Sequence, residues 1–120
     1  LIAEIGINHN GDLGIAKKLL DATFVCGWDC AKFQKRDPDI CIPEKQKNIL
    51  KKTPWGEMSY LQYKHKIEFQ KKEYDYIDNY CKQKPLDWSV SVWDLNSLKF
   101  SMQYDLPLVK IPSAHFTNLK

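Results

Sequence analysis

Three charged side chains stand inside short apolar segments of this 120-residue sequence: Glu4 in LIAEIGI, Lys32 in CAKFQ and Lys110 in LVKIP. Each segment reads as a strand, and strands of a parallel sheet covered on both faces are close to continuous apolar runs. An unpaired buried charge costs several kcal/mol, so each of the three needs a counter-charge or a charged ligand. One account is structural: Glu4 pairs with a lysine, or a lysine runs its stem out to solvent. The other is chemical. By the two-residue strand period, Glu4, Gly6 and Asn8 share one face, as do Lys32, Gln34 and Arg36, while Asp94 and Ser113 follow the next two strands. Lysines, amides and a serine hydroxyl converging on one mouth suit a phosphate or carboxylate ligand. One acid beside them could handle protons or stabilise developing positive charge.

The elements that would position these residues follow from hydrophobic period and turn chemistry. Residues 1–7 form strand one, and Asn8-His9-Asn10-Gly11 breaks it. Asp12 caps a helix in which Ile15, Ala16, Leu19, Leu20 and Thr23 recur at helical spacing until Gly27. Residues 30–34 make strand two, followed by a polar, proline-punctuated loop over 35–56. Helical pattern returns over 59–69 and 73–82, where Tyr74, Ile77 and Cys81 share a face with Asp78 as its polar exception. Residues 88–93 form strand three, Asp94 caps a helix through Met102, and residues 108–111 form strand four. Strict alternation of strands and helices implies a parallel sheet with right-handed crossovers.

That pattern fits the first four units of a (β/α)8 barrel or an open doubly wound sheet. The absence of a Gly-rich phosphate loop after any strand weakens the open sheet. A barrel takes about 250 residues. A chain that enters its first strand at residue 1 and stops shortly after its fourth is therefore expected to be part of a longer protein. Barrel active sites lie at the carboxyl ends of the strands, where the charged residues cluster.

Composition narrows the classes further. With 43% hydrophobic and 28% charged residues, and 18 Lys+Arg against 15 Asp+Glu, the chain reads as an ordinary globular domain. A net charge of +3 does not call for a nucleic-acid or membrane partner. The lysines at 45, 47, 51 and 52 near Trp55, Tyr60 and Tyr63 read as a solvated loop. No apolar run approaches the ~20 residues of a membrane span, and the opening lacks a basic leader. Cys26, Cys30, Cys41 and Cys81 lack C-x-x-C spacing and read as reduced thiols of a cytoplasmic protein. His9 is either a ligand at a strand end or the residue that holds its own turn. His65 reads as solvated, and His115 could reach the mouth.

The strings IAEIGINHNGDLGIAKKLLDA, AKFQKR, TPWGEMSY, EYDYIDNYCK, SVWDLNSL and DLPLVKIPSA, in this order from Ile2 to Thr117, resemble the N-terminal half of the sialic acid synthase family. The resemblance implies a (β/α)8 TIM barrel of which residues 1–120 form about four units. It implies an enzyme that condenses phosphoenolpyruvate with an N-acetylated hexose, typically N-acetylmannosamine, to give sialic acid and phosphate. Legionaminic and pseudaminic acid synthases share this chemistry. In the family, the acid of the AEIG segment is essential near the reacting carbon, which here is Glu4. The lysine of the KFQ segment and the lysine and serine of the K-I-x-S segment hold phosphoenolpyruvate; here they are Lys32, Lys110 and Ser113. The glutamine that faces the sugar falls on Gln34. A divalent metal, manganese or magnesium, is expected, with histidine ligands on later strands and none in this chain. An antifreeze-protein-like C-terminal domain and a homodimer are likewise implied. The reading that competes from another class is a non-catalytic α/β module binding a phosphorylated effector.

Overall fold

The computed structural model describes residues 1–117. In chain order the elements are β1 (Ile2–Gly6), α1 (Leu13–Val25), β2 (Cys30–Lys35), α2 (Pro38–Cys41), α3 (Glu44–Lys47), β3 (Leu50–Thr53), β4 (Gly56–Ser59), α4 (Tyr60–Ile67), α5 (Lys71–Gln83), β5 (Asp87–Val92), α6 (Leu95–Ser101) and β6 (Val109–Lys110), with a 3₁₀ turn at Ser113–His115. Strands β1, β2, β5 and β6 pair in parallel in that order. Each new strand is added on the same side of the last, as consecutive staves of a (β/α)8 barrel are. A doubly wound sheet would reverse at a switch point, and none occurs among the described strands. The chain is the N-terminal part of a barrel, as its alternation of elements implies.

The helices form where the sequence provides caps. The Asp12 carboxylate accepts from the Ile15 amide at 3.0 Å, and α1 buries Ala16, Leu20 and Thr23. Ser59 and Gln62 form a reciprocal capping box at α4, and at α5 the Glu73 carboxylate accepts from the Gln70 amide at 3.0 Å. The buried stripe of α5 is Tyr74, Ile77 and Cys81. Its polar exception is explained by the sheet: Asp78 accepts from the Trp88 indole N–H at 3.0 Å.

The core lies between these helices and one face of the sheet. Ile5, Ala31, Phe33, Trp88, Val90 and Val92 meet Ala16, Leu20, Tyr74, Ile77 and Cys81. Tyr74 is fully buried among Trp88, Phe100, Phe33 and Phe69, and its hydroxyl donates to the Gln34 carbonyl at 2.8 Å. Burying so much apolar surface on one face leaves the other face free to be polar.

Three expectations need correction. The stretch 35–56 is not a plain loop: it holds α2 and α3, and it enters the antiparallel hairpin β3–β4. That hairpin breaks the strict strand–helix alternation. Lys45, Lys51 and Lys52 are exposed, as the solvated-loop reading expects, with Lys51 5.3 Å from the Tyr60 ring centre. The fourth strand pairs over only Val109–Lys110, and Trp93 lies beyond the end of β5.

The turn after β1 packs tightly against the end of α4. Gly11 has φ +73°, and a Cβ there would stand 2.3 Å from the Lys66 carbonyl oxygen. Left-handed backbone alone costs a side chain about 1–2 kcal/mol, and the clash adds to that. Gly11→Ala is therefore expected to lower unfolding free energy by about 2 kcal/mol or more, read by urea denaturation. A stability equal to wild type would show that this approach is not a constraint.

Candidate active site

The second face of the sheet carries the charges. Strand register sets Glu4 opposite Lys32 and Lys32 opposite Ser89, and, one rung nearer the carboxyl ends, Gln34 opposite Ser91 and Ser91 opposite Lys110. Lys32 is 4% exposed. Its Nζ donates to Glu4 Oε2 at 2.5 Å and lies 3.4 Å from Ser91 Oγ. The pairing that the structural account required is thus present, on the same face as the residues the chemical account gathers.

The other charges behave differently. The Glu4 side chain is 65% exposed, so Lys32 is the buried member of the pair. Lys110 is exposed on a two-residue strand, contrary to the expectation that it is buried, because β6 is the last strand on its side of the sheet. Ser113 is exposed in the 3₁₀ turn. Gln34 is half-buried, and its Oε1 accepts from Arg36 Nη2 at 2.8 Å. The guanidinium of Arg36 lies on the Trp93 ring at 4.3 Å, and the His115 ring meets Trp93 edge-on at 5.9 Å.

Residues singled out for their type prove structural. His9 is 1% exposed, stacks on Phe69 at 3.8 Å, and its Nδ1 accepts from the Gly11 amide. The turn-holding reading of His9 is the one the structure shows. Asp94 is a clamp: it accepts from the Asp37 amide at 2.7 Å and from the Ser97 amide and hydroxyl at 2.7 and 2.8 Å. Burial disfavours its charge, but these donors prevail and hold its pKa below the usual carboxylate range. His65 is exposed and lies 3.0 Å from Asp39. The cysteines are free thiols, and burial pushes Cys41 and Cys81 up to about 12.

Sequence reasoning missed two features. Ser91 is polar, small and in register with Gln34 and Lys110, yet nothing in SVSVW distinguishes it until β2 and β5 are aligned. Lys35, on the core side of β2, pairs with Glu68 at 3.2 Å and donates to the Phe69 carbonyl at 2.7 Å. Burial raises the Glu68 pKa despite the lysine.

The carboxyl ends of the parallel strands thus present a positively charged polar face. Residues 19–120 match the NeuB family model. The chain belongs to the NeuB family. It is 31% identical to the mouse N-acetylneuraminate-9-phosphate synthase over 98% of its own length and 33% of that protein. It is 36% identical to the N,N'-diacetyllegionaminic acid synthase of Campylobacter jejuni, over 99% of its own length and 36% of that protein. A crystal structure of an N-acetylneuraminic acid synthetase from Leptospira borgpetersenii superposes with a TM-score of 0.78 at 23% identity, covering 95% of this chain and 36% of that one, and shares its fold. This NeuB chain spans about a third of the length of the curated relatives it matches. They are sialic acid-type synthases by name.

Burial lowers the His9 pKa from 6.5 to about 4. The unfolded chain takes up the proton at the higher pKa, so it binds more protons than the fold between these values, and stability rises with pH there. Stability is expected to fall by up to about 3 kcal/mol as pH drops from 6.5 towards 4. His9→Gln should flatten that part of the curve, measured by urea denaturation at several pH values. Equal slopes in both proteins would remove His9 as the cause.

Proposed function

We propose that the protein carrying this chain condenses phosphoenolpyruvate with an N-acetylated hexose, N-acetylmannosamine, to give sialic acid and phosphate. The observation that carries the reading is the buried Lys32 held between Glu4 and Ser91, with Lys110 one strand further on the same face. Phosphoenolpyruvate brings a carboxylate and a phosphate, and a phosphate monoester is nearly doubly ionised at neutral pH. Lys32, Lys110 and the Ser113 hydroxyl would hold those groups, while Gln34 would face the sugar.

In the reaction, the methylene carbon of phosphoenolpyruvate attacks the aldehyde carbon of the open-chain sugar, forming one C–C bond. The former enol carbon becomes electron-poor, water adds to it, and the C–O bond to phosphate breaks. Glu4 would stabilise that positive charge or take the water's proton. A divalent cation, manganese or magnesium, would be held by residues outside this stretch and would supply Lewis-acid chemistry when bound. Among the described residues no three His, Cys, Asp or Glu side chains converge to hold one.

Residues 1–120 would form the N-terminal half of the catalytic barrel, of which 118–120 lie outside the described residues. The remaining strands, the antifreeze-like domain and a homodimer belong to this same proposal, as does a cytoplasmic location. Among the described residues no helix is long and apolar enough to cross a membrane. A second reading, a legionaminic acid synthase using a diacetamido sugar, is supported by the 36% identity to the Campylobacter jejuni protein. Phosphate release measured with each acceptor sugar separates the two, and no release with any of them overturns both.

Lys32→Met and Lys110→Met are each expected to weaken phosphoenolpyruvate binding roughly ten- to a hundredfold, the worth of a charge-assisted contact. Lys32→Met also removes a buried ammonium, so its melting temperature should be equal to or above wild type. Unchanged affinity in both variants would return the lysines to a structural role. Glu4→Gln is expected to leave both substrates bound while turnover falls by orders of magnitude. A protein that melts early yet keeps its turnover per folded molecule would show instead that Glu4 serves only as a counter-ion.

A further inference from the structure

The carboxyl end of β2 carries an arginine that the proposed chemistry does not use. Arg36 Nη2 donates to Gln34 Oε1 at 2.8 Å, and its guanidinium carbon lies over the Trp93 indole, 4.3 Å from the ring centre. Its Nε is buried without an acceptor, and no carboxylate lies within ion-pair distance of it among the described residues. The backbone beneath is fixed as well. The Arg36 amide donates to Glu68 at 3.1 Å, the Asp37 amide donates to Asp94 at 2.7 Å, and the Gln34 carbonyl accepts from Tyr74 at 2.8 Å.

An amide side chain can turn either end towards a ligand, and its hydrogen-bond partners decide which. With Oε1 engaged by a guanidinium that can only donate, the other end of Gln34 must be the Nε2 donor. A Cβ added to Gly6 would lie 3.7 Å from that Nε2, so the amide nitrogen faces β1, on the side of the sheet that carries Glu4 and Lys32. Gly6 has no side chain to intervene.

We propose that Arg36, braced on Trp93, is a positioning residue that fixes Gln34 as a hydrogen-bond donor, so that the site selects an acceptor sugar presenting an oxygen there, a carbonyl or hydroxyl, and rejects one presenting only a donor. The proposal rests on the synthase reading above and deepens it: it names what the sugar must offer at one position. It also assigns a role to an arginine whose charge has no carboxylate partner. A fork donor braced over an aromatic ring loses little freedom on binding an amide oxygen, which is why an arginine rather than a lysine suits this place.

The test compares wild type with Arg36→Met, Arg36→Lys and Gln34→Glu in the full-length protein, reading KM for sugar and for phosphoenolpyruvate separately. Gln34→Glu keeps the partner of Arg36 but has no N–H to offer. Arg36→Met should raise the sugar KM about tenfold, leave the phosphoenolpyruvate KM within twofold, and leave the melting temperature within a degree or two. Gln34→Glu should raise it at least as much, and the double variant should be no worse than Gln34→Glu alone, because both changes remove one interaction. Arg36→Lys should recover part of the loss. Additive effects, an equal rise in both KM values, or a loss seen only with a phosphorylated sugar would overturn the proposal; the last would mean that Arg36 touches the substrate itself. The hydrogen bond is also read without turnover, from the Gln34 side-chain amide resonances, which should be fixed in wild type and averaged in Arg36→Met. Averaged resonances in wild type would overturn it even if the protein is an active synthase. Fixed resonances in a protein that releases no phosphate would sink the synthase reading and leave the positioning contact standing.

Discussion

A lysine ammonium in the middle of a parallel sheet has to be answered, and the polar face of this sheet is arranged around that requirement. Lys32 sits on the second of four strands, with Glu4 reaching it from the first and Ser91 from the third. Three strands must therefore agree in register. A slip of one residue would turn Lys32 towards the core and Phe33 towards Glu4. The small polar residues of β5 belong to the same arrangement: Ser89 and Ser91 leave room beside the ammonium, and a valine at position 91 would offer it neither space nor an acceptor.

The face that meets the helices carries a second buried charge, and it is handled in another way. Lys35 is enclosed by Glu68, the Phe69 carbonyl and the Phe100 ring. Burial raises the Glu68 pKa even beside that lysine, because the hydration this carboxylate loses outweighs the attraction it gains. Its structural value is where it ties. Glu68, Asp94 and Tyr74 together pin the backbone of residues 34–37, from α4–α5, from the exit of β5 and from α5. A binding residue is only as precise as the shell that holds it, and these ties converge on the segment that carries Gln34 and Arg36.

Much of the site could be read before any fold was known, because a charge in an apolar strand is conspicuous. Glu4, Lys32 and Lys110 stand out in LIAEIGI, CAKFQ and LVKIP, and the two-residue period already placed Gln34 and Arg36 with Lys32. What could not be read was any relation across strands. Ser91 gains its meaning only when β5 is laid beside β2, and Glu68 becomes the partner of Lys35 only when α4 returns 33 residues later. The hairpin β3–β4 was hidden for a related reason: LKKT and GEMS are short and largely exposed, so they lack the alternating burial that marks a strand.

The sequence by itself determined the order of the sheet strands and of the longer helices between them, the helix starts at Asp12, Ser59 and Asp94, the apolar stripes that face the sheet, and the residue types that make one mouth cationic. These are local matters of period, cap and composition. Only the tertiary structure decided which of the charges is buried, which carboxylate answers it, and that His9 and Asp94 hold turns instead of offering themselves to a ligand. Those outcomes depend on strand register and on contacts between residues far apart in the chain, and burial is a property of the packed layers that no single segment carries.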